Sequence, residues 1–249
     1  MPSLWFVVPA HGRVELARIC LTQLGRTCDQ LGAEGVNATA VVIADDENLD
    51  TARRLGFATI RRNNRFVSRK FNDGIQLATD PNLNPRPADY VVPFGSDDWA
   101  DHRLFLELPP SDTMFGFQRM SFVREDGREI TVRNIQVTGG SGIRIYPRQL
   151  MAPLGYRPAE EDRPRGCDTS ILSNLIRHHD HAMRVQHRHL HDRQIVDWKT
   201  YGQQLNPYAM LTRHPGIAAE DPFVELAGVF PEVALNAMRV HYDRALVPA

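Results

Sequence analysis

Residues 90–94 (Tyr-Val-Val-Pro-Phe) form an apolar run that stops abruptly at Gly95, Ser96 and the paired acids Asp97 and Asp98. A short continuous apolar run reads as a strand buried on both faces, the pattern of a parallel sheet covered by helices. Two more such runs precede it, at 4–8 and 38–44, and a third short strand is expected at 58–60 after Gly56. The first ends in Pro9-Ala10-His11-Gly12-Arg13, the second in Asp45-Asp46-Glu47-Asn48, the third in Arg61-Arg62-Asn63-Asn64-Arg65. Between them, Leu16, Cys20 and Leu24 share one face of a helix starting at Val14. Phe71, Ile75 and Ala78 share one face of another over 68–78. The order strand, helix, strand, strand, helix, strand predicts an α/β chain with a doubly wound, mostly parallel sheet flanked by helices. In such sheets ligands collect outside the carboxyl ends of the strands. Paired carboxylates there repel each other unless a hard cation or a group of donors neutralises them. Taken alone, Asp97-Asp98 would read as a solvated loop with a helix cap; the neighbouring polar tips are what point to a site.

The rest of the composition narrows the field. The chain has 249 residues, suiting one large domain or a domain with an extension. A formal net charge of −1 excludes a global field that would draw in nucleic acid. Three cysteines, Cys20, Cys28 and Cys167, are too few and too odd in number for a disulfide framework, and reduced thiols used for packing are expected. No apolar segment approaches the ~20 residues needed to span a bilayer, and the opening residues lack a basic leader. The expectation is a cytoplasmic protein without a membrane span. Neither a glycine-rich dinucleotide fingerprint nor a P-loop follows the first run.

Downstream, 113–123 and 129–137 read as strands joined by a turn at Glu125-Asp126-Gly127-Arg128, and 143–146 as another strand. Residues 148–154 read as a short helix. A further helix is expected over 169–178, for which Asp168 could be the N-cap. His187, His189 and His191 alternate, so they share one side if that stretch is a strand. Trp99 reads as a hydrophobic plug beneath the strand tip. Helices are expected at 222–229 and 231–246, packing on the main body or supporting a homo-oligomer. The domain reading is 1–200, with halves 1–102 and 103–200, followed by a helical extension over 201–249.

Four blocks together resemble family 2 glycosyltransferases of the GT-A fold. The run from Phe6 to Arg13 is similar to their opening strand, which reads close to VIIPTYNR. The stretch from Val42 to Asp50 is similar to their VDDGSTD block, the one from Ser68 to Ile75 to their KxxNxG helix, and the one from Tyr90 to Trp99 to their YIxFLDxDD strand. The blocks fall in the family's order and cover roughly residues 4–102. Gly139-Gly140-Ser141-Gly142 sits where the family has an acceptor-side loop, and Gly166-Cys167-Asp168 resembles a degenerate EDxxL block. The first acid of the usual DxD is Gly95 here, and the Glu of EDxxL is Cys167.

The resemblance implies a metal-dependent, inverting enzyme that moves a sugar from a nucleotide-diphosphate donor to an acceptor hydroxyl. It is similar to stand-alone bacterial or phage members of the family. Mn2+ or Mg2+ would be held by Asp97 and Asp98 with a late histidine, His189 or His191. Donor contacts would come from Pro9, Ala10, His11, Arg13, Ser96, Arg69, Lys70 and Asn72. Asp45 or Asp46 would accept hydrogens from the base, and Asp168 would be the catalytic base. Base, sugar and acceptor (glycan, lipid or protein) stay open. Two alternatives remain: a non-catalytic sugar- or nucleotide-binding module, suggested by the lost acids, and a sugar nucleotidyltransferase, which lacks its basic glycine-rich signature here.

Overall fold

The computed structural model describes residues 1–63, 65–117, 119–123, 130–134, 143–163, 167–179, 182–188, 194–198, 218–219 and 221–245. The first half contains β1 (Ser3–Pro9), α1 (Val14–Ala33), β2 (Asn37–Ala44), α2 (Asn48–Arg54), β3 (Ala58–Arg61), α3 (Val67–Thr79) and β4 (Tyr90–Pro93). Downstream lie β5 (Asp98–Ala100), β6 (Thr113–Phe117), β7 (Arg119–Val123), β8 (Ile130–Asn134), β9 (Arg144–Pro147), α4 (Arg148–Met151) and α5 (Cys167–His179). Then come β10 (Arg184–Arg188), β11 (Ile195–Trp198), β12 (Ala218–Ala219), α6 (Pro222–Leu226) and α7 (Glu232–Ala245).

The main sheet has the order β10-β6-β9-β4-β1-β2-β3. Strands β3, β2, β1 and β4 are mutually parallel, and β9 runs antiparallel to both β4 and β6. Because side chains alternate along a strand, β1 feeds two cores. Leu4, Phe6 and Val8 pack with Leu21, Leu24 and Leu31 of α1. Val7 points the other way, into a core shared with Phe71, Ile75 and Ala78 of α3. The sheet is therefore sandwiched between helices. At Gly74 of α3 a Cβ would come within 2.4 Å of Val7 and 2.6 Å of Ile43, so only glycine lets the helix lie this close to the sheet.

From β1 the chain first moves outward to β2 and β3, then crosses back to place β4 on the other side of β1. That reversal opens a crevice between the carboxyl ends of β1 and β4. A second sheet, ordered β12-β8-β7-β11-β5, brings β11 alongside the segment that follows β4: Asp197 lies opposite Asp98, and Val196 opposite Trp99. Beneath it a third core joins Leu16, Ile19 and Cys20 of α1 to Trp99, Trp198, Phe223, Phe230, Met238 and Tyr242. The Trp99 and Trp198 rings meet edge-on at 4.8 Å, a geometry worth about 0.5–1.5 kcal/mol beyond area burial. Trp99 is thus the plug expected beneath the strand tip, and α6 and α7 pack on the body of the molecule.

Several elements differ from expectation. The run 113–123 does not form one strand: it divides around residue 118, β6 joining the main sheet and β7 the second. The polar stretch after β2 contains helix α2, whose only buried apolar residues are Leu49 and Ala52, too few for a visible period. Helix α5 starts at Cys167, so Asp168 stands in its first turn rather than at the cap. Of the three alternating histidines, only His187 lies among the described residues, on β10. His189, His191 and the loop 139–142 lie outside them, as does the turn at 125–128, although β7 and β8 do pair antiparallel. No helix among the described residues is long and apolar enough to cross a membrane.

Candidate functional site

Ala10 to Arg13, leaving β1, shape one wall of the crevice. Ala10 is tied back by its N–H to the Ile43 carbonyl at 2.9 Å. Gly12 and Arg13 then adopt left-handed backbone in succession (φ 55° and 44°) before α1 begins. Glycine takes this conformation freely, whereas arginine does so only where its surroundings hold it there. Three polar groups do the holding. The Asp46 carboxylate accepts from the Gly12 N–H at 2.7 Å, and the Asn48 amide donates to the Gly12 carbonyl at 3.1 Å. From behind, the buried Lys70 ammonium donates to the Ala10 carbonyl at 2.7 Å. Burial lowers the Lys70 pKa, and the Asp45 and Asp46 charges work in the opposite sense.

Asp46 is committed to this loop. Besides Gly12, its carboxylate takes the backbone N–H of Asn48 at 3.1 Å and its side-chain amide at 2.8 Å. Burial would raise its pKa, but these bonds outweigh that and hold the carboxyl below the ordinary range. Asp45 is placed differently: its side chain is one-third exposed and lies 3.5 Å from His11 Nδ1.

The other wall follows β4. Gly95 is tight against the acids: a Cβ there would stand 2.5 Å from Asp98 Oδ2 and 3.0 Å from Asp97 Oδ1. Asp98 Oδ2 accepts the Gly95 N–H at 3.0 Å, closing the turn. The absence of a side chain at position 95 is therefore what allows Asp98 to fold back over it. Asp97, Asp98 and Asp197 offer carboxylate oxygens that all lie within 4.8 Å of one another. Asp197 reaches the group from β11 and is only 8% exposed.

Across the crevice, Arg13 closes the gap. Its Nη1 lies 2.5 Å from Asp97 Oδ2 and its Nη2 3.5 Å from Ser96 Oγ. At 23% and 17% side-chain exposure, Arg13 and Asp97 are shielded from water, unlike a surface ion pair. Burial works against the charged guanidinium, yet the Asp97 carboxylate, with Asp197 beyond it, carries the Arg13 pKa above its usual value. Burial, with the Asp97 and Asp98 charges adding to it, pushes the Cys20 thiol well up, and burial pushes Cys28 up to about 12, so both are packing residues.

The expected site residues thus separate. Arg13, Asp46, Asp97 and Asp98 meet around the 10–13 loop and the turn after β4, with Ser96 beside them and Asp45 and His11 adjoining. Asn72 does not face the crevice. Its amide is buried between the Ala159 N–H and carbonyl, at 2.8 and 2.9 Å, with Glu161 at 2.9 Å, so it clamps the 157–163 loop onto α3. Arg69 likewise pairs with Asp162 at 2.5 Å and Glu161 at 3.5 Å. Lys70 lies behind the loop rather than in the open crevice, and Pro9 completes β1. For Asp168 only its backbone place in α5 is described.

Asp197 was not anticipated. Its signal is an acid within the otherwise apolar run Ile195-Val196-Asp197-Trp198, a residue type rarely buried in a strand without a reason.

No family model matches the chain, and no curated protein does. Solved structures do resemble it. A Drosophila β1,4-galactosyltransferase 7 variant in complex with manganese, UDP-Gal and xylobiose aligns with TM-score 0.54 and 14% identity over 86% of this chain and 80% of that one. The glucosyl-3-phosphoglycerate synthase of Mycobacterium tuberculosis, with Mn2+, UDP-glucose and phosphoglyceric acid, aligns at 0.49 and 12% over 84% and 74%. The 4-diphosphocytidyl-2C-methyl-D-erythritol synthase of Anaerococcus prevotii aligns at 0.49 and 12% over 82% and 94%. With the sheet order above, the likeness to the galactosyltransferase structure shows a GT-A, Rossmann-like fold.

Proposed function

We propose that the chain is a divalent-metal-dependent glycosyltransferase that uses a nucleotide-diphosphate sugar and acts with inversion. The observation that carries this reading is the convergence of Asp97, Asp98 and Asp197 at the reversal of strand order, beside the Arg13 guanidinium. The donor set fits the ion: hard carboxylate oxygens suit Mg2+ or Mn2+, which take one or two protein carboxylates plus phosphates and water. A bound ion would supply Lewis-acid neutralisation of the leaving diphosphate.

The chain's own residues do the rest. Arg13 offers a fork of donors suited to phosphate oxygens. Asp45, one-third exposed beside the His11 ring, is assigned the base's N–H groups, while Asp46 and Asn48 hold the loop that presents Arg13. Asp168, in the first turn of α5, is assigned by the motif resemblance as the group that takes the acceptor hydroxyl's proton. A single base acting opposite the leaving group gives inversion. Membership of family 2 rests on the four sequence blocks.

The test is incubation with UDP-, GDP- and TDP-sugars, Mn2+ and a panel of glycan, lipid and peptide acceptors, following nucleotide release. Metal-dependent release that disappears in Asp97→Asn supports the reading. Donor binding without release under every condition favours the non-catalytic module to which Gly95 and Cys167 point. Pyrophosphate formed from a nucleoside triphosphate and a sugar phosphate favours a nucleotidyltransferase.

A further inference from the structure

We propose that Arg13 is a resident counter-cation of the Asp97–Asp98–Asp197 cluster: an incoming divalent cation must displace it from Asp97, and the freed guanidinium then engages the donor's diphosphate. This rests on the reading of the three acids as the metal site.

Three carboxylates with oxygens inside 4.8 Å of one another repel strongly in a shielded site. The Arg13 guanidinium lies against one of them, at 2.5 Å from Asp97 Oδ2. It therefore occupies lone pairs that a metal would need. It cannot leave by losing its proton, because arginine stays charged at any pH the protein survives. Only another cation, or a better anion for Arg13, can release Asp97.

The surrounding structure decides what moves. The backbone on either side of the 12–13 peptide is held by Asp46, Asn48 and α1, and Ala10 is pinned by Lys70. The exchange is therefore a side-chain swing on a fixed loop. Ser96 Oγ, 3.5 Å from Nη2, is a weak anchor and does not oppose it.

A coupling follows. Metal alone binds weakly, because it must strip Arg13 of its partner and leave a shielded charge unpaired. A nucleoside diphosphate gives Arg13 a new partner, so each ligand strengthens the other, and by linkage the strengthening is reciprocal. The device would keep the acids neutralised when no donor is present and admit the metal together with the donor.

The experiment measures Mn2+ affinity from the paramagnetic resonance of free Mn2+, with and without UDP, and with GDP and TDP in parallel. Wild type is compared with Arg13→Asn, chosen because asparagine tolerates left-handed backbone. Circular dichroism and thermal melts establish folding. Arg13→Lys, whose compact ammonium lacks the planar fork, is the second variant should Arg13→Asn not fold.

Arg13→Asn is expected to bind Mn2+ alone about tenfold more tightly than wild type. The gain in Mn2+ affinity on adding UDP should shrink at least threefold relative to wild type. Some gain persists, because phosphate oxygens ligate the ion directly. Arg13→Lys should lie between the two. Tightening is diagnostic, since loss of a merely structural residue would loosen the site. Mn2+ affinity unchanged or weaker in a folded variant overturns the counter-cation role while leaving the metal site intact. If Asp97→Asn binds Mn2+ as well as wild type, or wild type binds none even with nucleotide, the metal-site reading itself fails and this inference with it.

Discussion

Two acidic pairs follow the strands that flank β1 on either side, Asp45-Asp46 after β2 and Asp97-Asp98 after β4, and they have different work. Asp46 accepts from Gly12 and twice from Asn48, so its oxygens are committed to holding a loop. Asp97 meets a guanidinium and two further carboxylates. Asp46 is thus scaffold for a loop, while Asp97 is candidate chemistry. What separates them is where each carboxylate's hydrogen bonds go, and whether a third acid arrives from a distant strand.

The contrast can be broken most directly by exchanging losses. Asp97→Asn should lower turnover and Mn2+ affinity by about a hundredfold or more, as expected when Lewis-acid stabilisation of several kcal/mol is removed. A loss of comparable size in Asp46→Asn, with the fold intact by circular dichroism, would erase the distinction. Gly95→Ala comes next. The added Cβ would force Asp98 off the turn, and Mn2+ affinity measured by titration should fall about tenfold, on the order of one lost ligand.

Asp46→Ala should instead act on stability, by about 2 kcal/mol in urea unfolding, since it strips charge-assisted bonds from a part-buried backbone N–H. The sign with pH follows from its lowered pKa. The stabilisation is complete above the unfolded value of about 3.9 and is lost as pH falls through the lower folded value. The difference between wild type and Asp46→Ala should therefore narrow as pH drops below about 4. A difference constant down to pH 2 would show that the carboxylate charge is not what holds the loop. The smallest effect on stability, within about 0.5 kcal/mol, is expected for Asp45→Asn, which should show itself in nucleotide affinity by calorimetry.

Much of the first half was legible in the sequence because buried parallel strands read as apolar runs, as β1, β2 and β4 largely do, whereas β3 is a short, half-buried edge strand. Helices α1 and α3 announced themselves by their apolar faces. The second sheet was not legible in the same way. Its β7 continues β6 without punctuation, and nothing local marks where the chain leaves one sheet for the other. The site shows the same division. Asp97 and Asp98 stand at a strand tip and were singled out from that position, whereas Arg13 entered through the resemblance of the opening strand. Asn72 and Arg69 matched a motif, yet they are drawn toward the 157–163 loop, a partner some 90 residues distant that no local pattern foretells. Asp197 was missed because its meaning comes only from strand pairing: it is an acid placed by β11 opposite Asp98.

That pairing is also the most direct point of attack. Mn2+ titration of Asp197→Asn, with folding verified by thermal melting, asks whether a carboxylate from β11 completes a cation site begun after β4. At least a tenfold loss of Mn2+ affinity relative to wild type, with Asp46→Asn unaffected, is the result expected. Asp197→Asn binding Mn2+ as tightly as wild type would contradict the account.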